Sequence, residues 1–86
     1  MKAIVTVTLK PDVLDPQGRA ILRACETLGF GAGGGAVGVT DVRQGKLFEI
    51  QLAGGDRAAA ERMVRELCDK LLANSVIEDW KIERIE

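Results

Sequence analysis

The sequence predicts an α+β two-layer sandwich with elements in the order β-α-β-β-α-β, two helices lying on one face of a mostly antiparallel sheet. Three observations carry this expectation. Both ends of the chain alternate apolar and polar residues with the period of a strand, two interior segments repeat apolar residues at helical spacing behind an aspartate, and Val37 to Leu52 reads as two short strand-like runs about a turn. At 86 residues the length predicts a single domain, 1–86, close to the lower limit for a core without disulfide or metal support.

The first strand is carried by Ala3, Val5, Val7 and Leu9, which alternate with Ile4, Thr6, Thr8 and Lys10; Pro11, with no amide hydrogen to give a ladder, ends it. Asp15 then offers an N-cap carboxylate and Pro16 suits a first helical turn. Ile21, Cys25 and Leu28 share one face with Ala20 and Ala24 beside them, and Gly29 supplies the left-handed residue that stops a helix. Gly18 is out of place in a first turn, where it costs about 1 kcal/mol relative to Ala. Something close to its backbone explains it: packing within the protein, a partner protein, or a ligand phosphate at the helix N-terminus.

Between Val37 and Leu52 the runs flank Gln44-Gly45-Lys46 as a hairpin, with Phe48, Ile50 and Leu52 alternating with Glu49 and Gln51. Gly54-Gly55 breaks the pattern and Asp56 caps a second helix. Its apolar stripe is Ala60, Val64, Leu67 and Leu71, while Glu61, Arg62, Arg65, Glu66 and Asp69 face water; Asn74, tolerant of left-handed backbone, marks its end. In the tail Trp80 and Ile82 alternate with Asp79, Lys81 and Glu83. Ile85 is out of phase, which predicts a bulge or a separate packing partner. The order fits a ferredoxin-like sandwich. Ile4 and Leu47 then fall on the open face of the sheet, which predicts burial by self-association as a homodimer or tetramer.

Composition excludes several functions. Twelve Lys and Arg against thirteen Asp and Glu leave a net charge of -1, and with no Tyr, two Phe and one Trp the chain lacks the basic surplus and stacking groups of a nucleic-acid binder. No apolar run approaches the roughly 20 residues of a membrane span, and the start alternates like a strand, so a cytoplasmic location and no membrane are expected. Cys25 and Cys68 lie far apart in helical patterns with no His anywhere, and read as reduced, buried thiols.

The letters Gly31-Ala32-Gly33-Gly34-Gly35-Ala36 match a dinucleotide fingerprint. They follow a helix and enter a strand, the reverse of what a pyrophosphate needs, so they read as a loop. Arg43, Lys46 and Glu49 surround the hairpin turn, either as solvated charges or as rim charges for an acidic partner surface. Glu78 and Asp79 beside Trp80 look like a carboxylate pair, but adjacent strand positions send them to opposite faces. With no His, no phosphate loop, no cysteine beside a base and no metal-ligand cluster, the chain is expected to hold no catalytic site, cofactor or metal.

Three runs in order, Leu9-Lys10-Pro11-Asp12-Val13-Leu14-Asp15-Pro16-Gln17-Gly18-Arg19, Asp41-Val42-Arg43-Gln44-Gly45-Lys46-Leu47-Phe48-Glu49 and Leu71-Leu72-Ala73-Asn74-Ser75-Val76-Ile77-Glu78-Asp79-Trp80, resemble PurS, the small subunit of the bacterial multi-subunit phosphoribosylformylglycinamidine synthase of purine biosynthesis. Against that pattern, residues 31–36 look like a loop insertion. The resemblance implies a PurS-like fold and a non-catalytic subunit of a glutamine amidotransferase complex. In that complex a glutaminase subunit of the PurQ type releases ammonia, and a large synthetase subunit of the PurL type uses ATP and Mg. The chain would bridge these two, with Asp15, Gln17, Gly18, Arg19, Arg43, Lys46, Asn74, Glu78 and Trp80 at its partner contacts. Proximity of ammonia donor and acceptor is the service such a bridge performs. Fold order alone equally suits a small domain that senses an amino acid or nucleotide.

Overall fold

The computed structural model describes residues 1–86, which form two compact units: Met1–Val13 with Gly45–Glu86, and Leu14–Gln44. The first unit is a three-stranded antiparallel sheet and one helix. β1 (Lys2–Leu9) is central, with β2 (Gly45–Gln51) on one side and β3 (Glu78–Ile85) on the other. The expected strand face is realised: Ala3, Val5 and Val7 of β1 are wholly buried, with Phe48 and Ile50 of β2 and Trp80 and Ile82 of β3 packed against the same core.

α2 (Arg57–Leu67) closes that face. Asp56 caps it, its carboxylate accepting from the amides of Ala58 at 3.1 Å and Ala59 at 3.2 Å. The helix runs into a π-helical turn, Cys68–Leu72, and stops at an extended Ala73, whose amide donates to the Cys68 carbonyl at 3.1 Å. The buried stripe is therefore Ala60, Val64 and Cys68, with the partly buried Leu72 packed against the core beyond them, and the expected Leu71 is 72% exposed. A stripe at four-residue intervals drifts around an α-helix, and the wider turn holds Leu72 in line while sending Leu71 outward. Asn74 does not take left-handed backbone, since no residue but glycine has a positive φ. It turns the chain through its side chain instead, as described below.

Ile85 reaches the core through the expected bulge. Val5 pairs with Ile82 but Ile4 with Arg84, so Glu83 is an extra residue on β3, and Ile85 returns to the inner face opposite Ala3 at 6% exposure. On the other face Ile4 is buried, at 4% exposure, by the chain itself, so only Leu47, at 61%, answers to the expected exposed pair.

In the second unit, α1 (Pro16–Thr27) starts at Asp15 and ends in a Schellman motif. Gly29 takes φ +90°, its amide donates to Glu26 at 3.2 Å, and the Phe30 amide donates to Cys25 at 2.7 Å. A short 3-10 turn, Ala32–Gly34, follows, and Gly31 and Val39 form one isolated bridge.

The α+β class with an antiparallel sheet and two helices stands, but the expected hairpin does not form as drawn. Gly45, read as its turn residue, is the first residue of β2, and 37–43 is not a strand. Within that segment the Val39 amide bonds the Phe30 carbonyl at 2.8 Å, and the Gln44 amide just after it bonds the Asp15 carboxylate at 2.7 Å. Gly45 also has a reason of its own, because a Cβ there would lie 2.7 Å from the Val7 carbonyl oxygen of the neighbouring strand.

Candidate functional site

The residues singled out from sequence fall into two constellations, one in each unit. In Leu14–Gln44 the centre is Asp15, only 4% exposed. One carboxylate oxygen accepts from the Gly18 amide at 2.9 Å, as an N-cap does, and the other accepts from the Gln44 amide at 2.7 Å. The Gln44 amide lowers the Asp15 pKa most, the Gly18 amide next, and the Arg43 charge adds to them. Gln44 also donates its side-chain Nε2–H to the Gln17 side-chain oxygen Oε1. Gly18 is explained within the chain, since a Cβ there would sit 2.2 Å from the Val42 carbonyl oxygen and 2.7 Å from Asp15 Oδ2. Asp15, Gln17, Gly18 and Arg43 are thus brought together with Gln44, and Arg19 stands exposed on the first turn of α1.

The second constellation closes the turn between the π-helical turn and β3. Asn74 Oδ1 accepts from the Val76 amide at 3.1 Å, and the Asn74 carbonyl accepts from Ile77 at 3.0 Å and Glu78 at 2.7 Å. Glu78 reciprocates, taking the Asn74 amide at 2.7 Å and Lys46 Nζ at 3.2 Å on a side chain that is 12% exposed. The Asn74 amide is the larger cause of a lowered Glu78 pKa, with Lys46 behind it. Asp79 takes Lys10 Nζ at 2.7 Å, so the two adjacent carboxylates engage different lysines, as strand alternation requires. Trp80 is occupied separately: its Nε1–H donates to Asp69 at 3.0 Å and Arg65 lies 5.9 Å from its ring centre.

Sequence reasoning missed Gln44, Lys10 and Asp69. Gln44 is 29 residues from the carboxylate it meets, and nothing in its type marks it. Both cysteines are free, Cys68 fully buried with its thiol pKa raised by burial, Cys25 partly exposed. Among the described residues no group of three His, Cys, Asp or Glu side chains is placed to hold a metal, and no helix is long and apolar enough to cross a membrane.

The geometry is that of two hydrogen-bonded corners, and comparison with known proteins gives them a context. Residues 2–86 match the PurS family of phosphoribosylformylglycinamidine (FGAM) synthase. A phosphoribosylformylglycinamidine synthase subunit PurS of Mycobacterium leprae is 42% identical over 83 residues, 96% of this chain and 94% of that protein. The structure of Bacillus subtilis PurS superimposes with a TM-score of 0.78 at 42% identity, over 99% of this chain and 98% of that one. Methanocaldococcus jannaschii PurS, described as one of the subunits of formylglycinamide ribonucleotide amidotransferase in the purine biosynthetic pathway, gives 0.76 at 40% identity, over 99% and 98% of the two chains. With a family match across nearly the whole chain and relatives of this identity over nearly their full length, the chain belongs to the PurS family.

Proposed function

We propose that this protein is the small, non-catalytic subunit of phosphoribosylformylglycinamidine synthase in purine biosynthesis, and that it bridges the glutaminase and synthetase subunits so that ammonia passes between them. The observation that carries this reading is the similarity over 99% of the chain to M. jannaschii PurS, itself described as a subunit of that amidotransferase. ATP and Mg then belong to the synthetase, the location is the cytoplasm, and residues 1–86 act as one PurS-like domain, a reading supported by a family match running from residue 2 to residue 86.

Self-association as a dimer or tetramer is part of the same proposal. It is supported by large apolar side chains left in water in both units: Leu28 at 70% and Val37 at 92% exposure in one, Met63 at 52% and Leu71 at 72% in the other. The bridge rests on the two corners built around Asp15, Arg43 and Gln44 and around Lys46, Asn74 and Glu78.

The test is reconstitution with synthetase and glutaminase subunits from the same organism, supplying glutamine or ammonium. Glutamine-driven product formation is expected to depend on adding this chain, and ammonium-driven formation to depend on it less. Equal rates with and without the chain overturn the proposal.

A further inference from the structure

Between α2 and the edge strand β3, wholly within the first unit, lies an open groove of about 460 Å³, a size that suits a small ligand. Its walls gather charge of one sign. Arg57, Arg65, Lys81 and Arg84 line it beside a single lining carboxylate, Glu61, so four of the chain's twelve cations share one groove in a protein whose net charge is -1. Like charges gathered in this way repel one another, and core packing does not require them, since all four side chains belong to exposed residues. The floor is apolar, made by Trp80 and Ile82 with Ile85 turned inward by the Glu83 bulge.

The cations are positioned with donors to spare. Arg65 gives Glu61 one Nη2 contact at 3.1 Å and Arg84 gives Glu86 its Nε at 3.2 Å, which leaves most of each guanidinium's five donors open. These two pairs, and Lys81 with Glu83 at 3.6 Å, are exposed and of the kind that contributes little. Arg57, the first residue of α2, has no ion-pair partner among the described residues. Trp80 is fixed by its Nε1–H on Asp69 at 3.0 Å, and Arg65 lies 5.9 Å from its ring centre, so a guanidinium and an aromatic wall stand side by side before any ligand arrives.

We propose that this groove binds an organic diphosphate of the nucleoside diphosphate kind, its phosphates on Arg57, Arg65 and Arg84 and its organic part against Trp80 and Ile82. Planar guanidinium forks match phosphate oxygens, which favours this anion over a solvated halide or a lone carboxylate. A phosphate monoester carries about -1.5 to -2 charges at neutral pH, short of the lining's surplus of three cations over carboxylates, so two phosphate groups fit better than one. An inorganic anion would leave the apolar floor unused. The inference goes beyond the bridging role and does not depend on it.

Trp80 is the chain's one tryptophan, so its emission reports on this groove alone. The experiment titrates the full chain, without partner subunits, with magnesium-free ADP and separately with inorganic pyrophosphate, followed by Trp80 emission and by calorimetry. ADP is expected to saturate with a Kd below about 1 mM, and pyrophosphate to bind about tenfold more weakly or less. Arg57→Ala and Arg84→Ala should each weaken ADP binding by about tenfold, the scale of a charge-assisted hydrogen bond, while Arg62→Ala, exposed on the same helix outside the groove, should leave it within about twofold. The thermal midpoint of the ligand-free chain should be the same for all three variants, because none of these side chains is in the core. No saturable change up to about 5 mM ADP overturns the site. Equal affinity for pyrophosphate overturns the organic part of the ligand, and equal weakening by Arg62→Ala overturns the groove in favour of diffuse attraction to a basic helix. Any of these failures leaves the bridging role standing, since the titration contains no partner subunit.

Discussion

Asp15 does two jobs with one carboxylate, and the two oxygens can be separated by mutation. Asp15→Asn keeps an oxygen for the Gly18 amide but presents an amide hydrogen to the Gln44 amide, so it should lose the long-range bond and keep the cap, whereas Asp15→Ala loses both. The thermal midpoint should fall by several degrees for Asp15→Ala and by less for Asp15→Asn; equal midpoints for all three proteins would refute the arrangement. Both Asp15 and Glu78 have folded pKa values below the ordinary carboxylate value. Their stabilisation is therefore fully present above the unfolded pKa of about 4 and disappears as pH falls through the lower folded values. A stability profile from pH 7 to pH 2 should stay flat on this account until below pH 4 or so, and Asp15→Ala should flatten the acid limb. Gly18→Ala inverts helix-propensity reasoning: the gain of about 1 kcal/mol is outweighed by the collision with the Val42 carbonyl, so a net loss of about 1–3 kcal/mol is expected in urea unfolding. The cap was legible in the sequence because Asp-Pro at a helix start is local chemistry. Gln44 and the Val42 carbonyl were not, because a contact across the unit leaves no periodic trace, and Gly18 recorded only that something was near.

At the scale of elements, alternation identified β1 and β3 and the apolar face of β2, because burial of one sheet face writes itself into every second residue. It also flagged Ile85 as out of step, and the Glu83 bulge is the physical answer. The burial of Ile85 predicts a loss of about 2–4 kcal/mol for Ile85→Ala; a loss under about 0.5 kcal/mol would mean the end of β3 is not held. Helical spacing found α2 but chose the wrong leucine, since no sequence pattern announces a π-helical turn. Leu72→Ala should cost about 2 kcal/mol and Leu71→Ala less than about 0.5 kcal/mol, measured side by side in urea. The segment 37–43 has strand-like residues without a strand: its Val39 amide bonds the Phe30 carbonyl, and the Gln44 amide that follows the segment bonds the Asp15 carboxylate.

For the whole molecule, a 9.3 kDa chain with this much exposed hydrocarbon should scatter light as a dimer or larger at micromolar concentration, and a monomer mass would contradict the self-association proposed above. Arg43→Glu with Lys46→Glu should weaken assembly with the partner subunits, most visibly at low salt; unchanged elution of the assembled complex would remove those two residues from the interface. The family was readable from three runs of sequence, whereas neither the division of the candidate residues between two corners nor the exposed Val76 on the second one was. The position of Cys68 has a practical consequence. Its thiol is fully enclosed between α2 and the sheet, and burial raises its pKa, while Cys25 is partly exposed. A thiol reagent should therefore modify Cys25 first and reach Cys68 only when α2 lifts from β1 and β3, so the slow phase of labelling becomes a clock for the opening of that layer. Run with and without the partner subunits, the same clock would show whether assembly stiffens the layer on which Trp80 packs.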